Sequence, residues 1–196
     1  MKPAVFLDRD GTLIEDVGYL DRLDRIALFP WTVDAIRALN RAGFAVVVVT
    51  NQSGIARGFF DEAFVDQTHQ WIEAYLAGGG ARIDAYYYCP HHPDGSVEAY
   101  RRHCDCRKPA SGLVEKAVRD LGLDPARSFV VGDKWLDVGL ARSVGARGIL
   151  VRTGTGAAEE ARPQPGVSAD VIVDNLIGAV SWILLNPPSA IRNPKC

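Results

Sequence analysis

Ala4-Val5-Phe6-Leu7-Asp8-Arg9-Asp10-Gly11-Thr12 is the stretch that decides the reading of this chain: an apolar run, two carboxylates two residues apart, and a glycine. The apolar run predicts a short strand. Where the chain leaves that strand, Asp8 and Asp10 can both face one crevice, and Gly11 permits the turn that brings backbone N–H groups toward an anion. A bare Asp-x-Asp is more often a surface turn with an aspartate at a helix start. The strand in front and the Gly-Thr behind shift the balance toward a site.

Working outward, short β-branched apolar runs alternate with amphipathic segments, the pattern of a parallel sheet flanked by helices. Expected strands are Ala4–Leu7, Ala45–Val49, Ala85–Tyr88, Ser128–Val131, Gly148–Val151 and Val171–Val173. Val46-Val47-Val48-Val49 is apolar on both faces, as a central strand covered on both sides must be. Expected helices are Thr32–Ala42, Asp61–Leu76, Ser111–Leu121, Leu136–Val144 and Leu176–Leu185, with Gly43 and Gly122 as stop signals and Ser111 as a cap. Gly78-Gly79-Gly80 reads as a loop, and Gly154–Ser168, rich in Gly, Ala and Pro, as a surface or mobile segment. The fold class expected is α/β: a doubly wound, mostly parallel sheet with helices on both faces, one domain over 1–185 and a disordered tail over 186–196. Such sheets bind ligands at the carboxyl ends of their strands, so a chemical residue should stand just after a strand.

Three further motifs fit that rule. Thr50-Asn51-Gln52-Ser53-Gly54 follows the second strand and offers a hydroxyl and amides to phosphate oxygens. Lys108, in Cys106-Arg107-Lys108-Pro109, could neutralise charge on a transferring phosphoryl group. Gly132-Asp133-Lys134-Trp135-Leu136-Asp137 places Asp133 at a strand end, where it could hold a hard divalent cation together with Asp8; magnesium suits such an oxygen-rich site. Asp137 could instead cap or brace the loop. Taken singly, each motif also has an ordinary reading as a polar turn or a solvated lysine. Their order, one behind each strand, points to phosphoryl chemistry.

Cys89, Cys104 and Cys106 cluster while Cys196 stands alone at the end. Cys89-Pro90-His91 and Cys104-Asp105-Cys106 form a C-x-H…C-x-C set with 12 residues between His91 and Cys104. Three thiolates and an imidazole satisfy tetrahedral Zn²⁺ and leave no open position, which argues for a structural site. His92 and His103 lie close by, and spacing favours His91. The 196 residues carry a formal net charge of −2, with 47% hydrophobic and 23% charged residues. That balance offers no global field for nucleic acid or an anionic membrane. The N-terminus does not read as a signal peptide, and no apolar run approaches the roughly 20 residues of a membrane span. Cytoplasmic location and a monomer are the defaults.

With these motifs together, the chain resembles phosphatases of the haloacid dehalogenase (HAD) superfamily over nearly its whole length. The resemblance implies Asp8 as nucleophile, Asp10 as acid and base, and Thr50 and Lys108 as stabilisers of the transferred group. It implies Mg²⁺ held by Asp8, Asp133 and the backbone carbonyl of Asp10. The zinc loop is similar to that of two branches, the heptose-bisphosphate and the histidinol-phosphate phosphatases. Asp16-Val17-Gly18-Tyr19, Thr50 to Gly58, the long loop Cys89 to Ser96, and Lys134 after Asp133 resemble the former more closely. That branch implies removal of the 7-phosphate from a heptose 1,7-bisphosphate, with Asp16, Val17, Gly18, Tyr19, Asn51, Gln52 and Ser53 lining the sugar. Arg107 would take the second phosphate, and Lys134 would stand beside the substrate. There is no room for a large cap domain. The rival expectations are a histidinol-phosphate phosphatase and a non-catalytic, zinc-bearing binding module.

Overall fold

The computed structural model describes residues 1–187; most of the tail expected to be disordered, 188–196, lies outside the described residues. Six strands, β1 (Ala4–Leu7), β2 (Ala45–Asn51), β3 (Ala85–Cys89), β4 (Phe129–Gly132), β5 (Arg147–Val151) and β6 (Val171–Val173), form one sheet in the order β3-β2-β1-β4-β5-β6. Every pairing is parallel. Between the strands run α1 (Thr32–Arg41), α2 (Glu62–Gly78), α3 (Gly112–Leu121), α4 (Trp135–Ser143), α5 (Gly156–Glu160) and α6 (Leu176–Leu185).

The valine run explains the layering. Val46 and Val48 face the cluster with Ile36, Leu39, Ile72 and Ile183 of α1, α2 and α6; Val47 and Val49 face Leu113, Val114 and Leu140 of α3 and α4. All four valines are fully buried, each contributing about 1.5–3 kcal/mol of apolar burial. The chain builds outward from β1 through β2 to β3, then returns to β4 beside β1 and proceeds through β5 to β6. Strand order therefore reverses at β1, and the crevice above its carboxyl end is where such a sheet opens to ligands.

Three expectations need correction. β2 runs on through Thr50 and Asn51, which pair with Tyr88 and Cys89; a strand neighbour on β3 keeps them in the ladder, so this motif begins inside the strand. The segment after Gly154 is not wholly loop: α5 forms there, and Trp135 N–H and Nε1 donate to Glu159 at 3.1 and 2.7 Å. Ser111 stands at the helix start without capping it, its hydroxyl meeting Glu115 Oε1 at 2.6 Å. Gly122 does end α3 in the left-handed region, at φ 65°.

His69 of α2 is buried, its ring 4.6 Å from that of Tyr86 and nearly parallel to it. Burial, helped by the nearby Arg9 charge, pushes the imidazole down to about 3. An unfolded histidine titrates near 6.5, so the stability that neutral His69 allows is complete above that pH and declines as pH falls from 6.5 toward 3. The slope is about 1.4 kcal/mol per pH unit. Between pH 7 and pH 5, urea midpoints should show the wild type losing about 2 kcal/mol more than His69→Phe.

Candidate active site

Asp8 leaves β1 with its backbone N–H bonded to Val131 O of β4 at 2.9 Å. Its Oδ1 accepts from Arg9 N at 2.7 Å and meets Lys108 Nζ at 3.0 Å. Lys108 is 3% exposed and reaches three elements at once. Beside Asp8, it meets Asp137 Oδ1 of α4 at 2.6 Å and donates to Val49 O of β2 at 2.9 Å. Burial alone would lower its pKa, but Asp137 and Asp8 outweigh burial and hold the ammonium above the ordinary lysine value. Asn51 fixes the lysine's backbone from both sides, accepting from Lys108 N at 3.0 Å and donating to Lys108 O at 3.2 Å. The Asp137 brace expected from sequence is real: Asp137 Oδ2 also accepts from Lys134 N at 3.2 Å.

Asp133 lies fully buried beneath the crevice. Thr155 donates to its Oδ2 through both N and Oγ1, at 2.8 and 2.9 Å, while the buried Oδ1 has no hydrogen-bond partner among the described residues. Burial, then the Asp8 charge, push this carboxyl up to about 6. Gly11 and Gly154 close over it in positive-φ conformations, and a Cβ on either would come within 2.4 Å of Asp133 Oδ2. Asp8, Asp133 and Asp137 each offer an oxygen within 4.8 Å of the others. An orphaned buried acceptor inside a knot of carboxylates fits a hard divalent cation.

Asp10 turns a different way. Arg9 Nε and Nη2 donate to its two oxygens at 3.1 Å each, and Gln52 Nε2 donates to Oδ2 at 2.9 Å. Gln52 Nε2 also donates to Thr50 Oγ1 at 3.0 Å.

These groups open onto a cavity of about 420 Å³ lined by Asp8, Asp10, Thr50, Lys108 and, on the far walls, Asp16, Gly18, Tyr19, Asn51, Gln52, Ser53, Arg107 and Lys134. Lys134 pairs with Asp16 at 3.2 Å. Of the residues expected around the sugar, Val17 alone is absent from the lining: its apolar side chain packs on the core instead. Arg9, Leu20, Gly54, Phe60 and Leu136 line the cavity without having been anticipated. The Thr155 grip on Asp133 was likewise not anticipated, although the rule that chemistry follows a strand applies to the loop after β5 as well.

The four zinc ligands expected from spacing come together. Sγ atoms of Cys89, Cys104 and Cys106 lie 3.2–3.5 Å apart, and His91 Nδ1 is 3.8 and 3.3 Å from Cys89 and Cys106. A tetrahedron with Zn–S bonds near 2.3 Å has edges of roughly 3.7 Å, so the set fits Zn²⁺. The loop between them leans on the segment joining β2 to α2 and on the start of α2. Val97 N donates to Ala56 O at 2.9 Å, and Tyr100 and Tyr88 hydroxyls meet Glu62 at 2.6 and 2.8 Å. Arg107 Nη1 donates to His91 O at 3.3 Å.

Comparison with known proteins agrees with this geometry. Residues 105–179 match the family model described as HAD-hydrolase-like, and residues 4–137 match that of polynucleotide kinase 3 phosphatase. The chain is 46% identical over 176 residues to the D-glycero-beta-D-manno-heptose-1,7-bisphosphate 7-phosphatase of Escherichia coli K12, covering 89% of this chain and 90% of the relative. It is 45% identical to the protein of that name from Salmonella typhi, covering 98% and 97%. The crystal structure of D,D-heptose 1,7-bisphosphate phosphatase from B. bronchiseptica, complexed with magnesium and phosphate, superposes with a TM-score of 0.82 at 34% identity, over 95% of this chain and 99% of the other. Among the described residues no helix is long and apolar enough to cross a membrane.

Asp137→Ala should expose the cost of the lysine knot, since it leaves a buried ammonium facing a single carboxylate. Chemical denaturation should show a loss of about 3 kcal/mol, with Asp137→Asn losing less.

Proposed function

The chain belongs to the HAD-type heptose-1,7-bisphosphate 7-phosphatase family, and from that premise we propose that it hydrolyses the 7-phosphate of D-glycero-β-D-manno-heptose 1,7-bisphosphate. One observation carries the substrate beyond family membership. The cavity that holds Asp8 and Lys108 has Arg107 and Lys134 in its other walls, so two phosphates on one sugar each find a cation. Guanidinium forks suit phosphate oxygens. Histidinol phosphate, with a single phosphate, would leave Arg107, which meets a backbone carbonyl and no carboxylate among the described residues, without an anionic counterpart.

In the proposed reaction Asp8 attacks phosphorus as the bond to the sugar oxygen breaks, giving an aspartyl phosphate. Asp10 passes its proton to the leaving oxygen. It then takes a proton from water as the water oxygen attacks phosphorus and releases Asp8. Lys108 and the Thr50 hydroxyl hold the oxygens of the transferred group. Asp8, Asp133 and the Asp10 carbonyl would hold Mg²⁺, which would supply Lewis-acid neutralisation of the phosphate charge. Asp16, Gly18, Tyr19, Gln52 and Ser53 border the sugar. Asn51 serves the site by fixing Lys108. Cys89, His91, Cys104 and Cys106 would hold Zn²⁺, which would fix the loop that leads to Arg107. We place this activity in a monomeric, single-domain cytoplasmic enzyme acting on a small sugar, with no nucleic acid or membrane as partner.

The test is Mg²⁺-dependent phosphate release from both heptose bisphosphate anomers, histidinol phosphate and a 3′-phosphorylated oligonucleotide. The β anomer should give the highest kcat/KM, and Asp8→Asn should abolish release from every substrate. A preference for histidinol phosphate or for the oligonucleotide would overturn the substrate while leaving the chemistry. Removing zinc with a chelator, or Cys106→Ser, should lower Tm and raise KM for the sugar bisphosphate several-fold, with a smaller change in kcat. A calorimetric scan and the kinetics of the two forms check this.

A further inference from the structure

Arg9 is the bulkiest side chain in the fully buried interior, at 2% exposure, and the mechanism above gives it no task. A buried guanidinium costs several kcal/mol of desolvation unless its surroundings balance it. An apolar residue could fill the same space. Its partners are specific. Nε and Nη2 form a fork on Asp10, and Nη2 also donates to Gln52 Oε1 at 2.9 Å. Gln52 returns its own Nε2 to Asp10 Oδ2. Both oxygens of Asp10 are thus gripped by donors, while the residue itself remains on the lining of the cavity.

We infer that Arg9, with Gln52, is the positioning residue of the proton-transfer step: its fork aims Asp10 and confines the Asp10 proton to the side of the cavity. The inference rests on Asp10 being the acid and base proposed above. Arginine has five N–H donors and no acceptor, so a proton on Asp10 cannot lie between the carboxyl and the fork. It must sit on the lobe facing the substrate. When the phosphorus–oxygen bond breaks, the leaving oxygen takes that proton and the electron pair of the O–H bond stays on Asp10. The carboxylate so formed already has its donors in place and needs no reorganisation. In the second half, the proton from the attacking water returns to the same lobe.

Leaving-group dependence separates this role from a merely structural one. A sugar alkoxide must be protonated as it departs, whereas p-nitrophenolate leaves without a proton. With Mg²⁺ present, Arg9→Met should lower kcat/KM for the heptose bisphosphate about 30-fold or more, within the range of general acid catalysis. The loss with p-nitrophenyl phosphate should be at least about tenfold smaller. Asp10→Asn should show the same asymmetry, more strongly. Arg9→Lys keeps charge and bulk but loses the fork, and provides the reading should the methionine variant fold poorly; its asymmetry should be intermediate. Equal losses on both substrates, or none, in the Arg9 variants beside an asymmetric Asp10→Asn would overturn the inference alone. Equal losses in Asp10→Asn would overturn the acid–base assignment, and this inference with it.

Discussion

The ammonium of Lys108 ties the site together. It meets Asp8 at the end of β1, Asp137 at the start of α4 and a carbonyl near the end of β2, so three elements share one buried cation. Their geometry cannot change independently. Nor is the charge complete, because Asp8, Asp133 and Asp137 bring three carboxylates to a knot that contains one ammonium; Lys134, at its rim, pairs with Asp16. The remainder equals the charge of one divalent cation. Asp133 registers the deficit: buried near Asp8 with one oxygen unpartnered, its carboxyl is pushed up to about 6. The fold therefore tolerates crowded carboxylates at its centre by leaving a place where a counter-ion belongs.

Around that centre the molecule divides its tasks between rigid and loop-borne parts. Asp8, Thr50 and Asp133 stand at or just past strand ends, positioned by the parallel ladders of β1, β2 and β4. Asp16, Tyr19, Ser53 and Arg107 stand on connecting segments. Part of the chemistry lies where backbone pairing is dense, with Asp10 and Lys108 held from outside the strands by Arg9, Gln52 and Asn51, and recognition lies where sequence can vary without disturbing the sheet.

Much of this was legible in the sequence for identifiable reasons. β-branched runs such as Val46–Val49 have few alternatives to a buried strand, and the rule that ligands meet the carboxyl ends of strands turned four weak motifs into one site. The zinc ligands were legible because thiolate spacing is a strong constraint. What escaped depended on partners distant in sequence. Nothing near Gly156 announces α5; its residues matter through Trp135, some twenty positions earlier. The last residues of β2 were placed outside the strand because their pairing is decided by β3. Val17 sits in a run of site residues, but its apolar side chain obeys the core. Arg9 lies in plain view between the two aspartates. Its burial becomes apparent only when Gln52 is brought alongside.

One contact near the rim sets how this architecture can drift. Gly95, in the zinc loop, lies so close to the loop that follows β2 that a Cβ there would come within 2.7 Å of Ala56 O. The approach is tight at that point only: a Cβ on Gly58 would stand 3.6 and 3.7 Å from the Val97 and Ser96 side chains, an ordinary contact. Neither loop carries Asp8, Asp10, Asp133 or Lys108. A side chain at position 95 would press on the loop after β2, which carries Ser53 and Gly54 of the cavity lining.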